Sequence, residues 1–146
     1  MKRLFTVLVA VALAVTSGAS AQTYLGQFSS NRYDPLSTSN RFGTYGSQYS
    51  SFSVNNAYGQ YGSRYSPYSA TNPYAAHPPR LLDSSGNFRG TLSTNRYDPN
   101  SISNPYGIYG SRYSPFSVNN PYGAGNRFSI DSPMNPFGSG WSIFGR

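Results

Sequence analysis

The string NRYDPLSTSNRFGTYGSQYSSFSVNNAYG, residues 31–59, returns 64 residues later as NRYDPNSISNPYGIYGSRYSPFSVNNPYG, residues 95–123, with 21 of 29 positions identical. Duplication of this kind constrains the fold before any residue is read for its propensity. Each unit must bury itself against its neighbours, and whatever one unit presents to solvent is presented again by the next.

A shorter period of 16 lies within the long one. Residues 40–55, 56–71 and 104–119 share the pattern N-(P)-Y-G-x-Y-G-S-R-Y-S-P-F-S-V-N, with aromatics at fixed offsets: Phe42, Tyr45, Tyr49 and Phe52, then Tyr58, Tyr61, Tyr65 and Tyr68, then Tyr106, Tyr109, Tyr113 and Phe116. Their spacings of 3, 4 and 3 imitate one face of a helix. Composition opposes that reading, because each copy carries two Gly, several Ser and, in two copies, Pro67 or Pro115. A proline inside a helix costs about 3 kcal/mol.

Turns are the expected alternative. Asn104-Pro105-Tyr106-Gly107 and Asn120-Pro121-Tyr122-Gly123 suit type I turns, with Asn bonding the backbone at the first place and Pro setting φ at the second. Tyr33-Asp34-Pro35 and Tyr97-Asp98-Pro99 open further turns. Coils of 16 residues can stack into a solenoid with Tyr over Tyr and Asn over Asn, although Pro limits any regular ladder. Strand character is confined to Tyr24–Ser29 and Phe88–Ser93, which lie 64 apart, and to Arg80-Leu81-Leu82. With the loop Asp83–Asn87 these make residues 80–92 a hairpin candidate. The expected fold is irregular all-β, turn-rich and partly disordered.

The N-terminus reads as an export signal: Lys2 and Arg3, an apolar stretch from Leu4 to Val15, and the small-residue site Ala19-Ser20-Ala21. Cleavage after Ala21 would start the exported chain at Gln22. The organisation is then a signal peptide at 1–21, a first repeat unit at 22–74, a linker and hairpin start at 75–87, and a second unit with a degenerate tail at 88–146. No later segment reads as transmembrane. The chain is expected in the periplasm or outside the cell, reached through the secretory pathway. Beyond the leader there are nine Arg, four Asp, no Lys and no Glu, hence a formal charge of +5, and Leu, Ile, Val and Phe fill 19 of 125 positions. So few aliphatics place the chain at the margin of folding and make partial disorder expected.

The strings NPYG, YGSRYSP, SVNNPYGAG and NRYDP resemble those of exported bacterial proteins built from tandem NPYG and YGS repeats, over most of residues 24–138. The resemblance implies export and repetition. In that group an acid commonly follows the Pro of Y-S-P and Y-D-P, whereas Tyr68, Phe116, Leu36 and Asn100 stand there in this chain. The Tyr, Gly, Ser and Gln bias of residues 48–69 also resembles low-complexity nucleic-acid-associated proteins, but an export signal directs the chain away from intracellular nucleic acid.

An inventory of reactive groups gives no expectation of catalysis, cofactor or metal. One His, His77, sits beside Pro78; there is no Cys, and Asp34, Asp83, Asp98 and Asp131 are scattered, so neither a positioned acid/base pair nor a ligand cluster is spelled out. Repeated Tyr and Arg are the better candidates. Tyr45, Tyr49, Tyr61, Arg64, Tyr65, Tyr109, Arg112 and Tyr113 are the candidate contact residues, suited to self-association or to an envelope polymer, glycan or polyanion. The competing expectation is that Tyr forms an internal aromatic core and Arg a solubilising rim.

Overall fold

A computed structural model describes residues 22–146; the signal peptide expected at residues 1–21, with its cleavage site at Ala21, lies outside the described residues. The repeats form a continuous series of turns. In the coil from Asn40, turns run Asn40–Gly43, Gly43–Gly46, Ser47–Ser50, Ser50–Ser53 and Ser53–Asn56, and four of them close with a hydrogen bond from the backbone N–H of the last residue to the carbonyl of the first. The Ser47–Ser50 turn is held instead by its first side chain, whose Oγ accepts the Tyr49 N–H. Steps of three with one step of four generate the period of 16.

Polar side chains at the corners hold this path. Asn104 illustrates the rule: its Oδ1 accepts the Tyr106 N–H at 3.0 Å and its Nδ2 donates to the Asp98 carbonyl at 3.1 Å. The same pair of bonds is made by Asn40, Asn56, Asn72, Asn120 and Asn135. Ser37, Ser53, Ser69, Ser101 and Ser117 are wholly buried, one per coil, and each accepts the N–H two residues on. Adjacent coils are stitched by Asn55, whose Nδ2 donates to the carbonyls of Thr38 and Gly46, and identically by Asn119 to Ile102 and Gly110. Gly46, Gly62 and Gly110 are glycine for space, because a Cβ there would collide with the carbonyl of Asn40, Asn56 or Asn104.

Four short strands complete the all-β architecture: β1 Thr23–Phe28, β2 Arg80–Leu82, β3 Phe88–Thr91 and β4 Trp141–Gly145. They form one antiparallel sheet in the order β1-β4-β2-β3. The hairpin expected at residues 80–92 is present as β2 and β3, with Gly86 at φ 84° and Asp83 Oδ1 accepting the Ser85 and Asn87 N–H groups. The tail, read from sequence only as a worn repeat, supplies β4, which pairs with both β1 and β2.

The sheet has approximate two-fold symmetry. At its centre Leu81 faces Ile143, flanked by the reciprocal pairs Arg80–Phe144 and Leu82–Ser142. Outside it, β1 lies on β4 as β3 lies on β2, so the last strand of each half closes on the first strand of the other. Neither outer strand is a bare edge: Gln27 bonds Leu36 and Thr38, and Thr91 bonds Asn100 and Ile102, at matching positions of the two halves. Gly26 and Gly90, at φ 93° and 98°, bring these strands against Tyr45 and Tyr109.

The core is correspondingly thin. It comprises Leu25, Leu81, Trp141 and Ile143 from the sheet, Tyr61, and one small apolar residue per coil at Val54, Ala70 and Val118. At one matched place the halves differ in charge as well as size: Leu25 is wholly buried and its counterpart is Arg89. Arg89 pairs with Asp83 at 2.9 Å and lies 5.8 Å from the rings of both Phe116 and Trp141. Burial pushes the Asp83 carboxyl up, but hydrogen bonds from Asn87 and Arg89, with the Arg89 charge, outweigh it and hold the group below its ordinary value.

Two predictions follow from this bonding. Asn104→Asp keeps the acceptor for Tyr106 but turns a carboxylate toward the Asp98 carbonyl, so it should destabilise as much as Asn104→Ala, by about 1–3 kcal/mol in chemical denaturation; a neutral Asp variant would show the amide donor to be dispensable. Because the folded pKa of Asp83 is depressed, its contribution is complete above the unfolded value of 3.8 and is lost as pH falls through the lower folded value. Asp83→Asn should therefore lower stability at neutral pH and flatten the acid limb of a stability–pH curve.

Candidate functional site

Two turns of every coil hold an aromatic third residue at an outer corner, its N–H bonded by the side chain at the first place of the turn. The first series, Tyr33, Tyr49, Tyr65, Tyr97, Tyr113 and Phe128, has its N–H groups held by Asn31, Ser47, Ser63, Asn95, Ser111 and Asn126. The second, Phe42, Tyr58, Tyr74, Tyr106, Tyr122 and Phe137, follows the corner asparagines already described. All twelve rings stand between 86% and 99% exposed. Large rings scattered singly on a surface need no explanation, but twelve at a fixed repeat do.

Arginine accompanies the first series. Arg32, Arg64, Arg96, Arg112 and Arg127 each precede its aromatic, with Gln48 in the remaining place, and all five are exposed. Open grooves run between the two series. One of about 440 Å³ is lined by Arg32, Tyr33, Arg41 and Phe42, and an adjoining one of about 410 Å³ by Arg32, Arg41, Phe42 and Tyr49. At the far end of the repeats Arg127, Phe128 and Phe137 line a third of about 530 Å³. No acidic residue lines any of these grooves.

The candidate contact residues divide between outward display and an internal aromatic core. Tyr49, Tyr65 and Tyr113 are 91–92% exposed, beside the exposed Arg64 and Arg112. Tyr61 is buried and donates its hydroxyl to the Arg146 carbonyl at 2.8 Å. Tyr45 and Tyr109 are half-buried and meet Tyr24 and Phe88 edge to face, both at 5.3 Å. The cation–π contacts among the described residues belong to Arg80 and Arg89 and not to Arg64 or Arg112. The second series lies outside those candidates: the NPYG strings spell a turn by their Asn, Pro and Gly, and local turn chemistry does not show that their Tyr is displayed.

Two further cavities lie by the sheet. His77, stacked on Tyr68 at 5.9 Å, lines one of about 280 Å³ with Arg80, Thr91 and Arg146, and Asp83 and Arg89 line another of about 260 Å³ with Asp131. No group of three or more His, Cys, Asp or Glu stands together among the described residues. Among the described residues there is no helix long and apolar enough to cross a membrane. Comparison with known proteins finds no matching family model, no similar characterised protein and no similar solved structure.

The inner and outer tyrosines differ in access to solvent. Burial, then the nearby Tyr45 and Asp34, push the Tyr24 phenol above its ordinary value of 10.0. Its proton is held more tightly folded than unfolded, so stability from this group is present below pH about 10 and is lost as pH climbs through the raised value. Brief nitration under native conditions should modify the nine exposed tyrosines and spare Tyr61, and replacing Tyr24 by Phe should remove a component that ionises above pH 10 in an ultraviolet titration. Equal labelling of Tyr61 and Tyr65 would contradict the division between inner and outer rings.

Proposed function

We propose that this is an exported, non-enzymatic repeat protein, a structural or interaction component of the cell envelope or extracellular matrix that works through repeated outward Tyr and Arg. One observation carries the reading: twelve aromatic side chains are held outside by capped turns while Tyr61 is buried and Tyr45 and Tyr109 are half-buried in the same repeats. A ring left in water contributes nothing to folding. Covering it at a contact is worth roughly 1.5–3 kcal/mol, and regularly repeated weak contacts add through effective concentration.

A second reading, a surface module for glycan or polyanion, including extracellular DNA, is favoured by the grooves. Each combines an aromatic platform with arginine and has no acidic lining, the combination that stacks on a ring and attracts an anion.

Fractionation and N-terminal sequencing test the address: Gln22 should be the first residue of chain recovered outside the cytoplasm, and an intact leader on cytoplasmic chain would overturn it. For the surface, the exported chain is co-sedimented with purified envelope material. Replacing Tyr49, Tyr65 and Tyr113 by Ser should weaken binding at least tenfold without lowering the melting temperature, whereas unchanged binding would remove the aromatic series from the contact. Loss of binding between about 50 and 200 mM salt would select the polyanion reading, since phosphate contacts weaken steeply over that range and ring stacking does not.

A further inference from the structure

We propose that the nine exposed tyrosines are sites of oxidative phenol coupling, by which copies of this chain are joined covalently through dityrosine. The inference goes beyond the contact surface, because it assigns a reaction to the hydroxyl rather than to the ring.

Three features of the molecule converge on it. Access is the first, since these nine side chains are 87–99% exposed. Competition is the second. The chain has no Cys, its single Trp, Trp141, is 2% exposed, and its only Lys, Lys2, lies in the leader. Thiol and lysine cross-links are therefore closed to the exported chain and its indole is shielded, and a radical formed at its surface has tyrosine as its resting place. Number is the third: a chain with two coupling sites gives a thread, and one with nine gives a network.

The chemistry needs only a peroxide and a haem peroxidase. Each of two phenols gives up one electron and its O–H proton, and the two electrons and two protons reduce one hydrogen peroxide to two waters. The resulting tyrosyl radicals join through the ring carbons next to the hydroxyls, forming one C–C bond. The hydrogen on each joined carbon then moves to its oxygen and restores both aromatic rings.

The repeats supply a control. Phe42, Phe128 and Phe137 occupy the same turn position as the nine tyrosines and are equally exposed, so a ring without a hydroxyl is accepted there and Tyr→Phe leaves the fold intact. The exported chain is treated with a haem peroxidase and hydrogen peroxide, and read by dityrosine fluorescence, by denaturing gel and by mass spectrometry of the linked peptides. Wild type should give a ladder of oligomers linked at the exposed positions. The variant with all nine replaced by Phe should lose at least nine-tenths of the ladder while keeping its circular dichroism spectrum. Fluorescence without oligomers, linkage mapped to Tyr24, Tyr45, Tyr61, Tyr68 or Tyr109, or coupling no faster than that of a free tyrosine peptide would overturn the proposal. So would the absence of dityrosine from acid hydrolysates of the chain recovered from its own cells. Envelope binding by the nine-Phe variant is a separate readout: if it persists while coupling is lost, contact and coupling are distinct properties, and if wild type couples without binding, the contact reading alone fails.

Discussion

Everything in this structure depends on a side-chain amide that closes a turn at both ends. The corner asparagine accepts the backbone N–H two residues ahead and donates to the carbonyl six residues behind, so one residue fixes the bend it begins and ties it to the bend before. Repeated with serine at the intervening corners, this bonding satisfies backbone groups that a helix or a sheet would otherwise have to pair. It also explains how a chain so poor in aliphatics holds a defined path. Hydrogen bonds made within each coil, and by Asn55 and Asn119 between coils, take over much of the work that apolar burial does elsewhere.

The central sheet gives the repeats their limits. A stack of like coils has no intrinsic end, and its terminal units expose unsatisfied surface. Here each half begins and finishes in a strand, and the finishing strand of each half pairs with the opening strand of the other. Leu81 and Ile143 meet at the centre of that exchange and are wholly buried. The replacement of a buried leucine by Arg89 in the second half is accommodated by Asp83 and two aromatic faces, so duplication fixed the geometry and left the chemistry of one matched place free to diverge.

Outward display is a consequence of the same turns. Two capped turns of each coil project their third residue, and the step of four between Gly43 and Ser47 rotates the path so that Phe42 and Tyr49 face out while Tyr45 between them faces the sheet. The aromatic surface is therefore as regular as the backbone bonding beneath it. Its arginines lie along the grooves without acidic partners there, which leaves their charge available to whatever the surface meets.

Much of this was legible in the residues themselves. Asn, Gly, Ser and Pro at fixed offsets specify turns by local chemistry, and local chemistry does not need a partner, so the turn-rich all-β class, the opening strands and the hairpin at 80–92 follow from short stretches. The division of Tyr45, Tyr61 and Tyr109 from Tyr49, Tyr65 and Tyr113 did not, because burial depends on which flank of a coil meets the sheet. Nor did β4: Trp141–Gly145 has neither turn signals nor a matching copy by identity, and it becomes a strand only because β1 and β2 leave a gap that it fills. What the sequence by itself determined is the local path of the chain and the period at which aromatics recur. Which of those aromatics face water was decided by the tertiary structure, since only the pairing of distant strands creates an inside for the remainder to occupy.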